Sequence, residues 1–156
     1  TTSKMEFKLL AVWNFYWACK EGRFKDVKGD GALEYAAVRH HLPQLESPSL
    51  IIGDWNLGPT FSQQAFIKIC EMVGNHDFRS LYHLFFGLDE PETQHSTFRS
   101  TRNTYHHLDQ VFGCRLFQKH LNSISIPAIE DVVLSDHAPI CGDFDLSANP
   151  TNAVQI

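Results

Sequence analysis

Three short stretches of this sequence end an apolar run on groups capable of acid–base or metal chemistry. They are Leu50-Ile51-Ile52-Gly53-Asp54-Trp55-Asn56, His107-Leu108-Asp109-Gln110-Val111 and Leu134-Ser135-Asp136-His137-Ala138-Pro139. A carboxylate can hold a divalent cation or take a proton from water, and a carboxamide donates to an anionic oxygen without carrying charge. A histidine moves protons or stabilises a phosphate oxygen, and a neighbouring carboxylate fixes its tautomer and raises its pKa. Asp54, Asn56, Asp109, Asp136 and His137 therefore form a complementary set if the strands that carry them are neighbours. Taken alone, the first stretch also fits a strand cap, with Asp54 or Asn56 folding back on the backbone before Gly58-Pro59. Asp136 and His137 are adjacent and would face opposite sides of a strand. They share a site only where the strand has ended, and Pro139 marks a turn there.

The elements that must position these groups follow from the hydrophobic pattern. Leu50 to Asp54 has no polar alternation, as in strands covered on both faces, and open α/β sheets place ligand crevices at such strand ends. Phe7 to Trp13 reads as a second buried strand. Between them Asp30 suits a helix N-cap, with Leu33, Ala36, Ala37 and Val38 as the apolar face and Pro43 as the stop. Residues Pro59 to Gly74 predict another helix, with Thr60 and Gln63 as a capping box and a stripe of Phe66, Ile69, Cys70 and Val73. Asn75 to Asn103 reads mostly as loop, with a short strand or helix over Leu81 to Phe86. His106 to Gly113, Ser123 to Ile129 and Pro139 to Leu146 read as later strands, and the tail 147–156 as frayed. Strand–helix steps followed by strands predict an α/β domain, a mixed sheet covered by helices.

Composition narrows the class. The 156 residues suit one domain, 43% are hydrophobic and 20% charged, an ordinary globular balance. No apolar run approaches the ~20 residues of a membrane helix, and no signal peptide is visible. Cys19, Cys70, Cys114 and Cys141 are scattered without zinc-ligand spacing, which favours a reducing compartment and a cytoplasmic location. A net charge of −5 argues against gripping nucleic acid by bulk charge. Between His95 and Lys119, however, Arg99, Arg102, Arg115 and Lys119 face one acid, Asp109, and such a stretch can hold a phosphate. Trp13, Phe15, Tyr16 and Trp17 fit either base stacking or packing, and packing is the commoner use.

The motifs Ile51-Ile52-Gly53-Asp54-Trp55-Asn56, His107-Leu108-Asp109-Gln110-Val111-Phe112 and Ser135-Asp136-His137-Ala138-Pro139-Ile140 resemble, in order and rough spacing, three motifs of the endonuclease/exonuclease/phosphatase superfamily. Trp55, His107 and Gln110 stand where the family usually has Phe, Arg and Tyr, and a bacterial branch with histidine in the middle motif is the most similar. The resemblance implies that Asp54 orients or deprotonates the attacking water and that Asn56 bonds the scissile phosphate. It implies that Asp136 is a magnesium ligand and that His137, held by Asp109, stabilises the phosphorane-like transition state. Asn14 and His107 become candidates for substrate contact, beside Arg99 and Arg102 of the basic stretch. The implied fold is the carboxyl-terminal part of a four-layer α/β sandwich. The family's amino-terminal strands, with an asparagine and a metal-binding glutamate, have no counterpart before Phe7, so the resemblance covers nearly all of this chain but half of the family domain.

The expected activity is thus a magnesium- or manganese-dependent phosphoesterase acting on phosphodiester bonds, foremost in nucleic acid. The alternative is a truncated, non-catalytic half-domain or interaction module without the glutamate. The apolar strands predict that the sheet needs covering on both faces, which would drive self-association or demand an amino-terminal half as partner.

Overall fold

The computed structural model describes residues 5–13, 32–45 and 48–146. Asn14, the Phe15–Trp17 aromatics, Cys19, the Asp30 cap and the 147–156 tail lie outside the described residues. In chain order the elements are β1 (Lys8–Trp13), α1 (Ala32–His41), β2 (Ser49–Asp54), α2 (Gln63–Gly74), β3 (Arg79–Ser80), α3 (Leu81–Phe86), β4 (Phe98–Arg99), β5 (Tyr105–His106), β6 (Asp109–Gly113), α4 (Arg115–Lys119), β7 (Leu121–Ser125) and β8 (Cys141–Phe144).

The β-branched centre of β2 puts it inside a four-stranded mixed sheet of order β1-β2-β6-β3. β1 runs parallel to β2, and α1 falls between them in sequence, because a parallel pair needs a crossover. β6 runs antiparallel on the other side of β2, and β3 antiparallel to β6. Two-stranded sheets, β4–β5 and β7–β8, complete the mixed α/β architecture.

One face of the main sheet is closed. Ile51 and Phe112 are wholly buried there, in a core with Trp55, Phe66, Ile69 and Val73. Each such side chain contributes about 1.5–3 kcal/mol of burial. The expected stripe of α2 (Phe66, Ile69, Cys70, Val73) is buried throughout. On the other face the covering is partial. Leu50, Ile52 and Val111 are half-buried, and Leu9 and Trp13 of β1 are exposed. β1 is therefore not the buried strand that its composition predicts, because it is at the sheet's edge.

Other boundaries also differ from expectation. Among the α1 side chains that are described, Val38 is buried, with Leu42 one turn on, while Ala36 and Ala37 are exposed. Pro43 ends α1 as expected, in a 3-10 turn over Leu42–Gln44. The capping box of Thr60 and Gln63 does not form. Gly58 and Phe61 exchange two backbone hydrogen bonds (2.8 and 3.1 Å), which uses those residues in a turn, and Ser62 caps α2 from a left-handed conformation (φ 55°). Leu81–Phe86 is helical, with the Ser80 hydroxyl accepting from the His83 N–H and Gly87 closing the helix at φ 64°. The stretch read as loop also holds β3 and the β4–β5 hairpin, and α4 follows β6.

Candidate active site

β2 ends on Asp54 because of the glycine before it. Gly53 has φ 140°, and a Cβ there would lie 1.8 Å from the Val12 carbonyl oxygen of β1, so only glycine lets the two strands approach. Beyond it, Asn56 adopts φ 49° and donates twice to the Asp54 carboxylate, from its backbone N–H and from Nδ2, each at 3.0 Å. Asp54 thus makes the strand cap that the sequence allows. Those two bonds fix its carboxylate at the strand end, where Asp54 remains half-buried.

Across the antiparallel ladder Asp54 stands directly opposite Asp109, the first residue of β6. His137 joins them from the carboxyl-terminal part of the chain. Its Nδ1 donates to Asp109 Oδ2 at 2.9 Å, and the ring leans on Phe98 at 4.9 Å. The Ser135 hydroxyl accepts from the His137 backbone N–H at 3.0 Å, which makes the turn that brings the histidine inward. Ligating atoms of Asp54, Asp109 and His137 all lie within 4.8 Å of one another, and the three residues are half-buried.

The electrostatics follow from this crowding. The hydrogen bond to Asp109 raises the His137 pKa above its ordinary 6.5, burial opposes it, and the charges of Asp109, Asp54 and Asp136 reinforce it. Burial raises Asp54 above its usual carboxylate value. The Asn56 bonds and the His137 charge pull it back, and the Asp109 charge adds to the rise. The converging carboxylates of Asp54 and Asp109 offer the hard oxygen donors of a divalent cation. Because Nδ1 of His137 serves Asp109, Nε2 is the nitrogen left to face a ligand.

Thr97 is the residue that sequence reasoning missed. It is fully buried, and its hydroxyl accepts from the backbone N–H groups of Leu108 (2.9 Å) and Asp109 (3.0 Å). Its carbonyl accepts from Ala138 N–H at 2.8 Å, so one side chain and its backbone lock Asp109 and His137 to each other. No local pattern around Thr97 marks it, since its partners are 11 to 12 and 41 residues away.

Other expected site residues fall differently. Asp136 is exposed and stands beside the cluster, its backbone carbonyl accepting from Arg99 N–H at 2.8 Å. His107, expected to touch substrate, is wholly buried: its Nδ1 meets the His95 carbonyl at 3.0 Å and its ring packs on Tyr82 at 4.3 Å. Gly58 is pressed on its carbonyl, 1.7 Å from where a Cβ would sit, so the segment before Asp109 is clamped inside the domain. Arg99 and Arg102 lie on the β4–β5 hairpin, and the Phe98–His137 bridge brings that hairpin to the site. Arg115 and Lys119 lie on α4 at the far end of β6, where Arg115 pairs with Asp77 at 2.7 Å. The basic stretch is therefore two separate groups.

No family model matches the chain, and no curated protein matches it. Among solved structures the chain is similar to that of the 3' phosphatase NExo from Neisseria bound to product DNA hairpin, at TM-score 0.54 and 15% identity, over 74% of this chain and 51% of that one. It is likewise similar to that of the 3'-5' exonuclease NExo from Neisseria meningitidis, at TM-score 0.54 and 16% identity, over 74% and 52%. The chain thus spans about half the length of these structures, and at such identity the likeness is one of fold. Among the described residues no helix is long and apolar enough to cross a membrane.

Proposed function

We propose that the chain is a phosphoesterase that hydrolyses phosphodiester bonds in nucleic acid with the help of magnesium or manganese. The observation that carries this reading is the convergence of Asp54 with the Asp109–His137 pair at adjoining strand ends. The structures similar in fold are those of an exonuclease and a DNA-bound 3' phosphatase, which supports nucleic acid as the substrate class.

Each side chain then has a task. His137, whose protonated form the Asp109 bond favours, donates from Nε2 to a non-bridging phosphate oxygen and stabilises the charge that builds there. Asp54, held by Asn56, accepts a proton from the attacking water as the water oxygen bonds to phosphorus, and the P–O ester bond breaks to release an alkoxide that takes its proton from solvent water. Asn56 holds the Asp54 carboxylate in place for this step, and Arg99 and Arg102 suit the next phosphate along the strand. A cation held by Asp54 and Asp109, with Asp136 beside them, would supply Lewis-acid charge.

The test is hydrolysis of a model phosphodiester by the full chain with magnesium or manganese. His137→Ala should lower the rate by about 10²–10⁴, the usual worth of a positioned proton-transfer group. Equal rates in wild type and variant, both folded by circular dichroism, would overturn the assignment. The second reading is a non-catalytic module, favoured by the chain's spanning half of the similar structures. Wild-type chain without metal-stimulated hydrolysis would establish it.

A further inference from the structure

The far end of the sheet carries a groove that the phosphoesterase chemistry does not use. β3 pairs with β6 at Gly113, and at ~3.4 Å per residue that end of β6 lies about 14 Å from Asp109. Two cavities adjoin there, of about 740 and 600 Å³, with Gly74, Phe78, Arg79 and Leu84 in the walls of both. Volumes of this size suit small molecules. The two cavities differ in charge. The larger reaches Asp89 and Glu90, and the Cys70 thiol bonds the Glu90 carboxylate. In the smaller, Arg79, Arg115 and Lys119 face one carboxylate, Asp77, which holds one guanidinium nitrogen of Arg115 at 2.7 Å. Leu84 and Leu88 give the wall of the larger cavity an apolar surface, Leu84 being 42% exposed. Both rims are tied to the sheet. Gln118 donates to the Asp77 and Gly113 carbonyls at 2.8 and 2.7 Å. His83 donates from Nε2 to the Glu92 carbonyl at 3.1 Å, so its Nδ1 accepts from the Ser80 hydroxyl at 2.7 Å.

We infer that this groove binds a nucleoside monophosphate with a guanine-type base. The phosphate sits among Arg79, Arg115 and Lys119, the base lies against Leu84 and Leu88, and its N–H donors reach the Glu90 carboxylate. The planar fork of an arginine matches phosphate oxygens two at a time. An ionised carboxylate accepts and never donates, and one thiol leaves most of its lone pairs free. It therefore takes the ring N–H and the amino group of guanine, whereas adenine turns an unprotonated ring nitrogen toward it and is repelled. The groove is separate from the Asp54–Asp109–His137 cluster, and the inference stands or falls independently of the activity of that cluster.

The experiment is titration calorimetry of the full wild-type chain with GMP, AMP and inorganic phosphate, at low salt in EDTA. GMP should bind about fivefold or more tighter than AMP, since the two differ by hydrogen bonds to a charged group. Arg79→Ala and Arg115→Ala should each weaken GMP and phosphate about tenfold, as loss of a charge-assisted bond requires. Both arginines are exposed, and an exposed ion pair contributes little to the fold. Glu90→Gln should reduce the preference for GMP over AMP to less than about twofold, because a carboxamide donates as well as accepts. Gly74→Leu puts a side chain into the wall that both cavities share, where a Cβ meets nothing within 4 Å. It should abolish GMP binding and leave the urea midpoint unchanged, and His137→Ala should bind GMP as wild type does. No binding of GMP by wild type, equal affinities for GMP and AMP, or undiminished binding by Arg79→Ala or Gly74→Leu would overturn the inference. So would a loss of GMP binding in His137→Ala, which would put the nucleotide at the carboxylate cluster instead.

Discussion

Acidification from pH 7 to pH 5 should destabilise the fold through His107. Its ring is fully buried, Nδ1 donates to the His95 carbonyl at 3.0 Å, and Nε2 has no hydrogen-bond partner. A second proton would go onto that nitrogen with nothing to accept its hydrogen bond. Burial accordingly pushes the His107 pKa from 6.5 down to about 4. The His95 carbonyl and Asp109 oppose the shift, and the His83 and His95 charges add to it. Between these two values the unfolded chain binds a proton that the folded chain refuses, so stability falls as pH falls through that window. At 1.36 kcal/mol per unit the loss reaches about 2 kcal/mol at pH 5 and about 3 kcal/mol near pH 4. Against a typical ~5–15 kcal/mol of total stability that is a large share. His83, lowered by burial, acts in the same direction. His137 acts oppositely: its raised pKa stabilises the fold below pH 6.5, and that contribution is lost as pH rises through the folded value. His107→Asn keeps a donor for the His95 carbonyl and does not titrate, so it isolates the term. In urea unfolding at the two pH values, wild type should lose about 2 kcal/mol more than His107→Asn. Equal losses would show that the proton is accommodated and that the buried nitrogen is not the acid-sensitive group.

Three further outcomes follow from the site and the sheet. Asp109→Asn removes the charge that raises His137, so proton NMR should show its pKa falling toward or below 6.5. The rate should drop less than in His137→Ala, because the histidine remains present. EDTA should abolish hydrolysis, and magnesium or manganese should restore it with weak, millimolar-range affinity in titration calorimetry, since two carboxylates leave most of an octahedral shell to water. The open sheet face with Leu9 and Trp13, next to Phe7 at 51% exposure, should drive self-association in light scattering at micromolar concentration; a monomer with cooperative unfolding would refute this.

The acid and histidine positions were legible because polar groups that end apolar runs stand out against the pattern of burial. What the sequence hid was the register around them. His107 and Asp109, two apart, would share a face if one strand carried both, but β6 starts at Asp109, and the preceding residues turn inward around Gly58. The charged run from Arg99 to Lys119 looks continuous on paper. β6 passes through its middle and carries its two halves to opposite ends of the sheet. Edge and centre are equally invisible, since β1 and β2 are both apolar and only the strand order decides which one is flanked on both sides. Thr97 shows the same limit. A threonine acquires its role from backbone N–H groups that only the folded chain brings within 3.0 Å.

The charges at this site disfavour its proposed substrate when counted alone. Asp54 and Asp109 bring two negative charges against one on protonated His137, and Asp136 adds a third within electrostatic reach of the histidine. A unit charge meeting a like charge at 4 Å costs on the order of 4 kcal/mol at an effective dielectric of 20, so a phosphodiester entering between the carboxylates is repelled. Burial raises the Asp54 pKa, and the Asp109 charge adds a share of the same repulsion within the cluster. Arg99 and Arg102 offset it from the hairpin side, where they can hold a neighbouring phosphate. That flank can therefore bind a strand before the reacting phosphate reaches the carboxylates. The last step needs positive charge between Asp54 and Asp109, which is why binding should persist in EDTA while turnover does not.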